Sequence, residues 1–309
     1  MLRSNLGRNL HPQLVVGIGA ATLDDLWLVD DFMSEEGVSL ALDRTSMGGG
    51  PVATLLCVLS RLGHSTALID RCGDDAAGHE ILAGLAAAGV HLAGVQCLPG
   101  KTSARAVVLV RRRDGARQIV YQPSTADEPT LDAALTKMIR GARLLHLNGR
   151  HESTARASVE IAQQADRLIS YDGGAGRYRD SIRDLVEASH LRLLSKDFAL
   201  RFTGLTEVSD MMSHLLTGVA KVVVITDGLR GSYIQCQGAE MFHQPAYPAL
   251  KTVDSTGCGD VFHGAFLHGY LSQWEIRRCS DFASRVACMN AAGLGGRYAL
   301  KADLDLLTP

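Results

Sequence analysis

Residues 252–270 carry the sequence TVDSTGCGDVFHGAFLHGY, which predicts a strand, a glycine turn and a helix in direct succession. The β-like lead-in ends at Asp254, Gly257–Gly259 form a tight turn, and Asp260 opens a helix with apolar periodicity. The first N–H groups of a helix have no intrahelical partner and lie at the positive end of its dipole. Because glycines let the backbone approach a ligand closely, this arrangement is typical of an anion hole for a phosphate.

The aspartate that opens this helix is the candidate reactive group. An aspartate fixed beside an anion hole can take a proton from an alcohol while the helix end holds the transferring phosphoryl group. An isolated Gly-x-Gly-Asp is more often an ordinary turn with a capping aspartate. Here Asp254, Thr256, both glycines and Asp260 stand in one order before a helix, which favours the catalytic interpretation.

Short apolar runs alternate with helix-length segments along the chain, which predicts an α/β fold with a doubly wound parallel sheet. The apolar runs are 14–19, 66–70, 144–147, 168–172, 191–194 and 221–226, and helices are predicted at 52–62, 78–88 and 153–165.

Two segments break this alternation and predict a small accessory sheet. Residues 30–45 lack a clear helical face, and residues 102–121 alternate around a charged turn as a β-hairpin does. We therefore expect inserted lid segments at roughly 28–46 and 98–124. The arginines at 111–113 are interpreted as solvated charge at the hairpin tip.

Composition excludes several classes of protein. The 309 residues include 31 Lys+Arg and 33 Asp+Glu, for a net charge of −2, which argues against disordered chains and against nucleic-acid binding by bulk electrostatics. Seven scattered cysteines without a CxxC fit a reducing, cytoplasmic compartment. No run reaches the roughly 18 apolar residues of a membrane span, so no membrane partner is expected. Residues 1–13 are predicted to be a flexible N-terminus.

The motifs resemble those of a known family. DSTGCGDVFHGAF at 254–266 resembles the C-terminal signature of the PfkB/ribokinase family of carbohydrate kinases, and MGGGPVAT at 47–54 followed by RLG at 61–63 resembles its first signature. The resemblance covers residues 14–301. It implies one kinase domain with the ribokinase-like three-layer αβα fold, a doubly wound sheet and a small β-sheet lid.

The resemblance also implies roles for residues around the glycine turn. Asp260 would be the catalytic base, and the backbone N–H groups of Gly257, Cys258 and Gly259 would form the anion hole. Asp254 and Thr256 match positions that bind a monovalent cation, which would be K⁺. We further expect the helix N-terminus to depress the pKa of the Cys258 thiol.

Substrate and nucleotide positions follow from the same comparison. Asp24 matches an aspartate that binds sugar hydroxyls, with the adjacent Asp25 as the alternative, and a carboxylate suits a polyol because it accepts hydroxyl hydrogens. The other substrate candidates are Gly49, Gly50, Thr54, which replaces the usual asparagine, and Arg150, in a stretch similar to one of ketohexokinases. The nucleotide-site candidates are Thr226, Gly228, Gly231 and Ser284.

The expected cofactors are ATP and Mg²⁺, but the usual magnesium motif is altered. Ser195 replaces its asparagine and Phe198 replaces its glutamate. The magnesium ion would then be held by phosphates and water alone, or by Asp197. Arg105 and Arg177 could reach an anionic substrate group, although a surface position is the default for arginine, and His263 is interpreted as structural.

The leading hypothesis is an ATP-dependent kinase that phosphorylates a hydroxyl, most simply a primary one, of a small sugar such as a ketose or a sugar derivative. A nucleoside kinase of the same fold and a non-catalytic sugar sensor are the alternatives. A dinucleotide-dependent oxidoreductase is disfavoured because Thr22 stands where the third glycine of its fingerprint belongs. Stretches similar to bacterial sulfofructose kinases do not fix the sugar. A homodimer formed through the lid is expected.

Overall fold

The computed structural model describes residues 14–248 and 251–304, and the N-terminal stretch predicted to be flexible lies outside them. The strands are β1 (Val15–Ile18), β2 (Thr22–Val29), β3 (Ala41–Gly49), β4 (Thr66–Gly73), β5 (His91–Leu98), β6 (Arg105–Arg111), β7 (Arg117–Gln122), β8 (Leu144–Leu147), β9 (Leu168–Gly173), β10 (Leu191–Ser195), β11 (Val222–Thr226), β12 (Ser232–Cys236) and β13 (Phe242–Gln244). The α-helices are α1 (Pro51–Arg61), α2 (Ala76–Ala87), α3 (Ala133–Gly141), α4 (Glu152–Gln164), α5 (Arg183–Glu187), α6 (Lys196–Thr203), α7 (Val208–Leu215), α8 (Cys258–Leu271) and α9 (Ile276–Ala291).

The main sheet has nine strands in the order β13-β12-β11-β10-β9-β8-β1-β4-β5. Strands β1, β4, β5 and β8 to β11 run parallel, and β12 and β13 complete one edge in antiparallel pairing. The chain first proceeds from β1 through β4 to β5 and then resumes at β8 on the other side of β1. The sheet therefore has a topological switch point between β1 and β8, and open α/β sheets bind ligands outside the carboxyl ends of their strands there.

Helices cover both faces of this sheet, which confirms the predicted three-layer αβα fold. One apolar cluster includes the buried faces of α1, α2, α8 and α9, and the other includes residues of α3 to α7. The predicted parallel strands are present because their apolar runs are buried on both faces, as Val15–Ile18 and Leu144–Leu147 are throughout. In the described part of the chain, no helix combines the length and apolarity needed to cross a membrane.

The accessory sheet has four strands in the order β3-β2-β6-β7. Its pairing begins at Thr22, opposite Gly49, whereas the sequence placed the first lid segment at 28–46. The earlier start has a physical reason: in β2 the buried residues Thr22, Leu23, Leu26 and Val29 do not alternate with half-buried ones, so the period of two that marks a strand is absent there. Because β2 follows β1 after three residues, the small sheet is attached directly at the switch point.

Asp75 joins the base of the small sheet to the main domain. Its Oδ1 accepts hydrogen bonds from Gly78 N at 2.8 Å, as the N-cap of α2, and from Ser103 Oγ at 2.6 Å, and its Oδ2 accepts one from Ser103 N at 3.0 Å. We expect Asp75→Ala to lower the free energy of unfolding by about 2 kcal/mol, since the cap is lost and the N–H of Ser103 is left without its acceptor. Urea titration measures this change.

The neighbouring aspartate provides a matched control. Asp74 is exposed and pairs with His79 at 2.8 Å, so Asp74→Ala is expected to change the unfolding free energy by less than about 0.5 kcal/mol. Equal losses in the two variants would contradict the role given to Asp75.

Candidate active site

The glycine turn before α8 is held by buried hydrogen bonds. Asp254 is fully buried, its Oδ1 accepts from Thr256 N at 2.7 Å, and its Oδ2 accepts from Gly295 N at 2.8 Å. Gly257 has φ 69°, and a Cβ there would lie 2.4 Å from the carbonyl oxygen of Gly296. The turn therefore requires glycine at 257, and the N–H of Cys258 donates to the carbonyl oxygen of Ser255 at 3.4 Å. The N–H groups of Gly259 and Asp260, in the first turn of α8, have no intrahelical acceptor.

Asp260 lies in the first turn of α8 and is partly buried beside this hole. Burial raises the pKa of its carboxyl to about 6, although Arg177 opposes the increase. At neutral pH the group is ionised, and its pKa is close enough to 7 for it to accept a proton efficiently.

A buried cluster supports the space in front of Asp260. Asp172 is the second-last residue of strand β9 and is 2% exposed, with its Oδ1 3.3 Å from His263 Nδ1 and its Oδ2 3.5 Å from Arg177 Nη1. Burial disfavours ionisation of Asp172, but His263 and Arg177 outweigh it and keep the pKa of this carboxyl below its usual range. The cluster holds the Arg177 guanidinium close enough to Asp260 to lower the pKa of the Asp260 carboxyl.

The thiol of Cys258 does not behave as predicted. Burial raises its pKa to about 11, so the expected depression by the helix N-terminus is wrong. The side chain is turned toward the carbonyl of Asp254 and the amide of Asn290, at 3.9 and 3.8 Å, rather than toward the anion hole. Only the backbone of Cys258 is thus available to a phosphate.

A cavity of about 820 Å³ lies above the carboxyl ends of the central strands. It is lined by both walls of the predicted site, including Gly257, Cys258, Gly259 and Asp260 on one side and Asp24, Gly50 and Arg150 on the other. The acidic residues in its lining are Asp24, Asp172 and Asp260. We refer to it as the acceptor cavity.

Asp24 and Asp25 point in opposite directions from β2. Asp24 lines the acceptor cavity and accepts a hydrogen bond from Thr22 Oγ1 at 2.6 Å, and burial raises the pKa of its carboxyl. Asp25 instead pairs with Arg44 at 3.1 Å and Arg105 at 3.2 Å on the other face of the sheet. This geometry favours Asp24 over Asp25 as the carboxylate that accepts hydrogen bonds from substrate hydroxyls. It also places Arg105 outside the cavity.

Positions 49 and 50 require glycine because neighbouring atoms leave no room for a Cβ. A Cβ at Gly49 would lie 2.0 Å from Asp24 Oδ2, and one at Gly50, where φ is 86°, would lie 2.4 Å from the carbonyl oxygen of Ala20. Gly50 lines the cavity, whereas Gly49 makes room for Asp24 behind it.

Thr54 lies behind the cavity wall, so the predicted direct contact between its side chain and a sugar is not supported. It is 2% exposed, and its Oγ1 accepts a hydrogen bond from Arg297 Nε at 3.1 Å. Arg297 also donates to the carbonyl oxygen of Gly49 at 2.9 Å. The segment Gly295–Arg297 therefore contacts the glycine turn through Gly295, and Gly49 and Thr54 through Arg297.

A second cavity of about 230 Å³ adjoins the first and is mostly apolar. All four predicted nucleotide residues line it: Thr226, Gly228, Gly231 and Ser284. Five residues border both cavities, namely Thr226, Gly228, Ser255, Cys258 and Gly259. The two cavities thus meet at the anion hole.

Asp254 and Asp197, two of the candidate metal ligands, already accept hydrogen bonds within the protein. Both oxygens of Asp254 accept backbone N–H groups, so its burial is explained by the turn, and binding of a monovalent cation by Asp254 and Thr256 stays a prediction. Asp197 accepts from Gly176 N at 2.8 Å and pairs with Arg201 at 3.1 Å, and it does not line the acceptor cavity. This position favours phosphates and water over Asp197 as the ligands of a magnesium ion.

Sequence reasoning missed several residues of the cavity. Asp172 ends a correctly predicted strand, and an acid at that edge of a parallel sheet was an available signal. Arg117 and Tyr121 come from the lid hairpin, and Arg117 Nη1 donates to Ser255 Oγ at 2.8 Å. His263 was assigned a structural role but lines the cavity, three residues beyond Asp260 on the same helix face.

The raised pKa of Asp260 predicts the pH dependence of turnover. If Asp260 is the base, it must be ionised to act, so kcat is expected to fall about tenfold per pH unit below 6 and to level off above about 7. Because Arg177 lowers this pKa, Arg177→Gln should move the inflection to higher pH. Initial rates at saturating substrate between pH 5 and 8.5 measure the inflection of the wild-type protein and its shift in Arg177→Gln.

Arg105→Gln is the control for this measurement because it removes the same charge outside the cavity. An inflection that is unchanged in Arg177→Gln, or that shifts equally in Arg105→Gln, would contradict the assignment of the titrating group to Asp260.

The chain is similar to known proteins over most of its length. The family described as pfkB family carbohydrate kinase matches residues 12–303. The chain is 28% identical over 259 residues to a probable fructokinase-5 of Arabidopsis thaliana, covering 78% of this chain and 79% of that protein. It is 26% identical over 302 residues to an ATP-dependent ribose-1-phosphate kinase of Halopiger xanaduensis, covering 94% and 95%.

The fold is shared with solved structures. The structure of Arabidopsis thaliana ribokinase complexed with ribose and ATP matches with a TM-score of 0.80 at 24% identity, covering 96% of this chain and 98% of that one. At this identity the likeness concerns the fold.

Proposed function

Because the chain belongs to the pfkB family of carbohydrate kinases, we propose that it transfers the γ-phosphoryl group of ATP to a hydroxyl of a small sugar, most simply a primary hydroxyl of a ketose or a sugar derivative. The relatives above are named for different acceptors, fructose and ribose 1-phosphate among them, so their names fix the reaction but not the sugar.

The observation that carries this proposal is the position of Asp260 where the two cavities meet. The nucleotide occupies the smaller cavity and places its terminal phosphate at the backbone N–H groups of residues 257–259. The sugar occupies the acceptor cavity, with hydroxyls on the carboxylate of Asp24. Asp260 then lies between the sugar and the γ-phosphate, where a general base for this transfer must act.

The reaction proceeds as an in-line transfer. Asp260 takes the proton of the acceptor hydroxyl as its oxygen forms a bond to the γ-phosphorus, and the bond from that phosphorus to the bridging oxygen of ADP breaks. The anion-hole N–H groups and the guanidiniums of Arg117 and Arg177 stabilise the negative charge on the transferring group. Magnesium, when bound to the phosphates, neutralises charge on their oxygens.

The small sheet acts as a lid on this reaction. Its hairpin contacts the glycine turn directly, since Ser255 Oγ donates to the carbonyl oxygen of Gly115 at 2.8 Å and Arg117 donates to Ser255. Covering the cavity excludes water, which would otherwise hydrolyse ATP.

An ATP-consumption screen with Mg²⁺ tests the proposal. The acceptors to be tested are three neutral sugars (fructose, ribose and tagatose), ketose derivatives that carry a phosphate, a sulfonate or a carboxylate, and several nucleosides. Turnover of one sugar supports a sugar kinase, and turnover of nucleosides alone would support the nucleoside-kinase alternative. Binding of sugar without any turnover would support a sensor, and failure to bind ATP would overturn the kinase assignment.

We further propose that the protein forms a homodimer through the outer face of the lid. Val107 and Val120 pair across β6 and β7 on the face opposite Ala106, and they are 43% and 72% exposed. A second copy that covers this apolar face would remove it from water. Sedimentation velocity should show a dimer that Val120→Lys dissociates, and a monomeric wild-type protein would contradict the proposal.

We place the reaction in the cytoplasm, where ATP is available. All seven cysteines are free thiols, as expected for a reducing compartment.

A further inference from the structure

Two arginines that line the acceptor cavity, Arg117 and Arg150, have no carboxylate in salt-bridge distance among the described residues; Arg117 donates to Ser255 Oγ at 2.8 Å, whereas Arg150 has only an aromatic ring beside its guanidinium. Arg150 follows β8 at the switch point and lines the cavity, and its guanidinium lies 5.0 Å from the ring centroid of Tyr121 on the lid. Within residues 14–248 and 251–304, no carboxylate lies in salt-bridge distance of this guanidinium. By contrast, Arg105 pairs with Asp25 at 3.2 Å and Arg177 with Asp172 at 3.5 Å.

Arg150 lies at the acceptor end of the cavity, away from the transferring phosphate. It follows the strand beside β1, whose continuation supplies Asp24, and Asn148 lies two residues before it in the same lining. The nucleotide cavity instead lies over β11, from which Thr226 extends. Arg117 and Arg177 both lower the pKa of Asp260, so these two arginines lie at the transfer end.

A neutral sugar would leave the positive charge of Arg150 without a partner in the cavity. Asp24 and Asn148 already offer carboxylate and amide groups to sugar hydroxyls. Arg150 is exposed in this structure, so its guanidinium is hydrated. A sugar bound between the lid and the sheet would remove part of that hydration, which is unfavourable for a cation unless the ligand supplies a partner. A planar guanidinium presents five N–H donors that match the oxygens of a phosphate, a sulfonate or a carboxylate.

Resting on the proposed function, we infer that the acceptor sugar carries an anionic group, and that Arg150, stacked on Tyr121, is the residue that selects it. The anionic group is a phosphate, sulfonate or carboxylate at the end of the sugar remote from the reacting hydroxyl. That group is unchanged in the reaction, because the only new bond joins the hydroxyl oxygen to the γ-phosphorus. The product therefore carries negative groups at two separate positions.

Initial-rate kinetics with Mg-ATP test this inference on matched acceptors. Fructose is compared with fructose 1-phosphate, fructose 6-phosphate, 6-deoxy-6-sulfofructose and 2-keto-3-deoxygluconate, which separate phosphate, sulfonate and carboxylate as the anionic group. We expect kcat/KM for one charged acceptor to exceed that for fructose by about 100-fold or more. Arg150→Gln should raise KM for that acceptor by about 30- to 100-fold, with a much smaller change in kcat and with less than about threefold change for fructose.

Two further variants separate charge from geometry and from folding. Arg150→Lys keeps the charge without the guanidinium fork and should recover only part of the lost affinity. Arg105→Gln removes an equal charge from the lid outside the cavity and should leave KM for the charged acceptor within about threefold of wild type. Thermal unfolding confirms that each variant is folded before its kinetics are compared.

The outcomes distinguish this inference from the proposed function. If fructose or another neutral sugar is the best acceptor, or if Arg150→Gln affects charged and neutral acceptors equally, the inference is overturned and the kinase function stands. If no acceptor is phosphorylated by a folded protein, the proposed function is overturned and the inference with it.

Discussion

Asp260→Asn is expected to lower kcat by about 10³-fold, the largest effect of any single substitution in this protein. Asparagine keeps the size of the side chain and its place in the first turn of α8, but it cannot accept the hydroxyl proton at neutral pH. Because the anion-hole N–H groups come from the backbone, the affinity for ATP should change by less than about threefold. Steady-state kinetics with the best acceptor, together with calorimetric titration of ATP, measure the two quantities separately.

The matched control for this variant is Asp210→Asn, which neutralises an exposed carboxylate on α7. It should leave kcat within about twofold of wild type. A kcat for Asp260→Asn that stays within about tenfold of wild type would show that another group takes the proton. A large loss of ATP affinity would instead show that the carboxylate organises the nucleotide.

Gly257→Ala is expected to lower kcat/KM by about 10²- to 10³-fold. The new Cβ would lie 2.4 Å from the carbonyl oxygen of Gly296, and the residue has φ 69°, a conformation that costs an L-residue about 1–2 kcal/mol. Both the contact with Gly296 and the left-handed conformation involve backbone atoms, so the turn must move. Its N–H groups would then no longer point toward the phosphate. Kinetics and ATP titration should therefore show weaker nucleotide binding as well as slower turnover.

Gly84→Ala in α2 is the control for adding a methyl group to a glycine. A Cβ there meets nothing within 4 Å, so activity should be unchanged and the helix slightly more stable. Circular dichroism shows whether Gly257→Ala is folded at the assay temperature. A folded Gly257→Ala with wild-type kinetics would mean that the turn does not hold the transferring phosphate.

The sequence predicted the main sheet because its strands are short apolar runs buried on both faces, a signal that is local and strong. The glycine turn was predictable for a similar reason, since Asp254, Gly257 and Asp260 act within one turn and its helix. The acceptor wall was less predictable. Asp172 reaches the cavity from β9, Arg177 from the loop after it and Tyr121 from the lid, and their proximity depends on how the strands are ordered.

Thr54 shows where local motif comparison reaches its limit. A hydroxyl in the usual asparagine position suggested a sugar contact, but the partner that occupies this hydroxyl is Arg297, 243 residues further along the chain. Likewise, the helix N-terminus suggested an acidic thiol at Cys258, whereas the packing around Asn290 buries it. In both cases a contact that is distant in sequence outweighs the local pattern.

The segment Gly295–Arg297 joins the two places in which we propose that nucleotide and sugar bind. Gly295 fixes Asp254 under the phosphate turn, and Arg297 fixes Thr54 and Gly49 behind the sugar loop. We expect a ligand that orders one half of the site to lower the cost of ordering the other half through these three consecutive residues. By thermodynamic reciprocity, sugar and nucleotide would then strengthen each other's binding by one common factor, whichever of them arrives first.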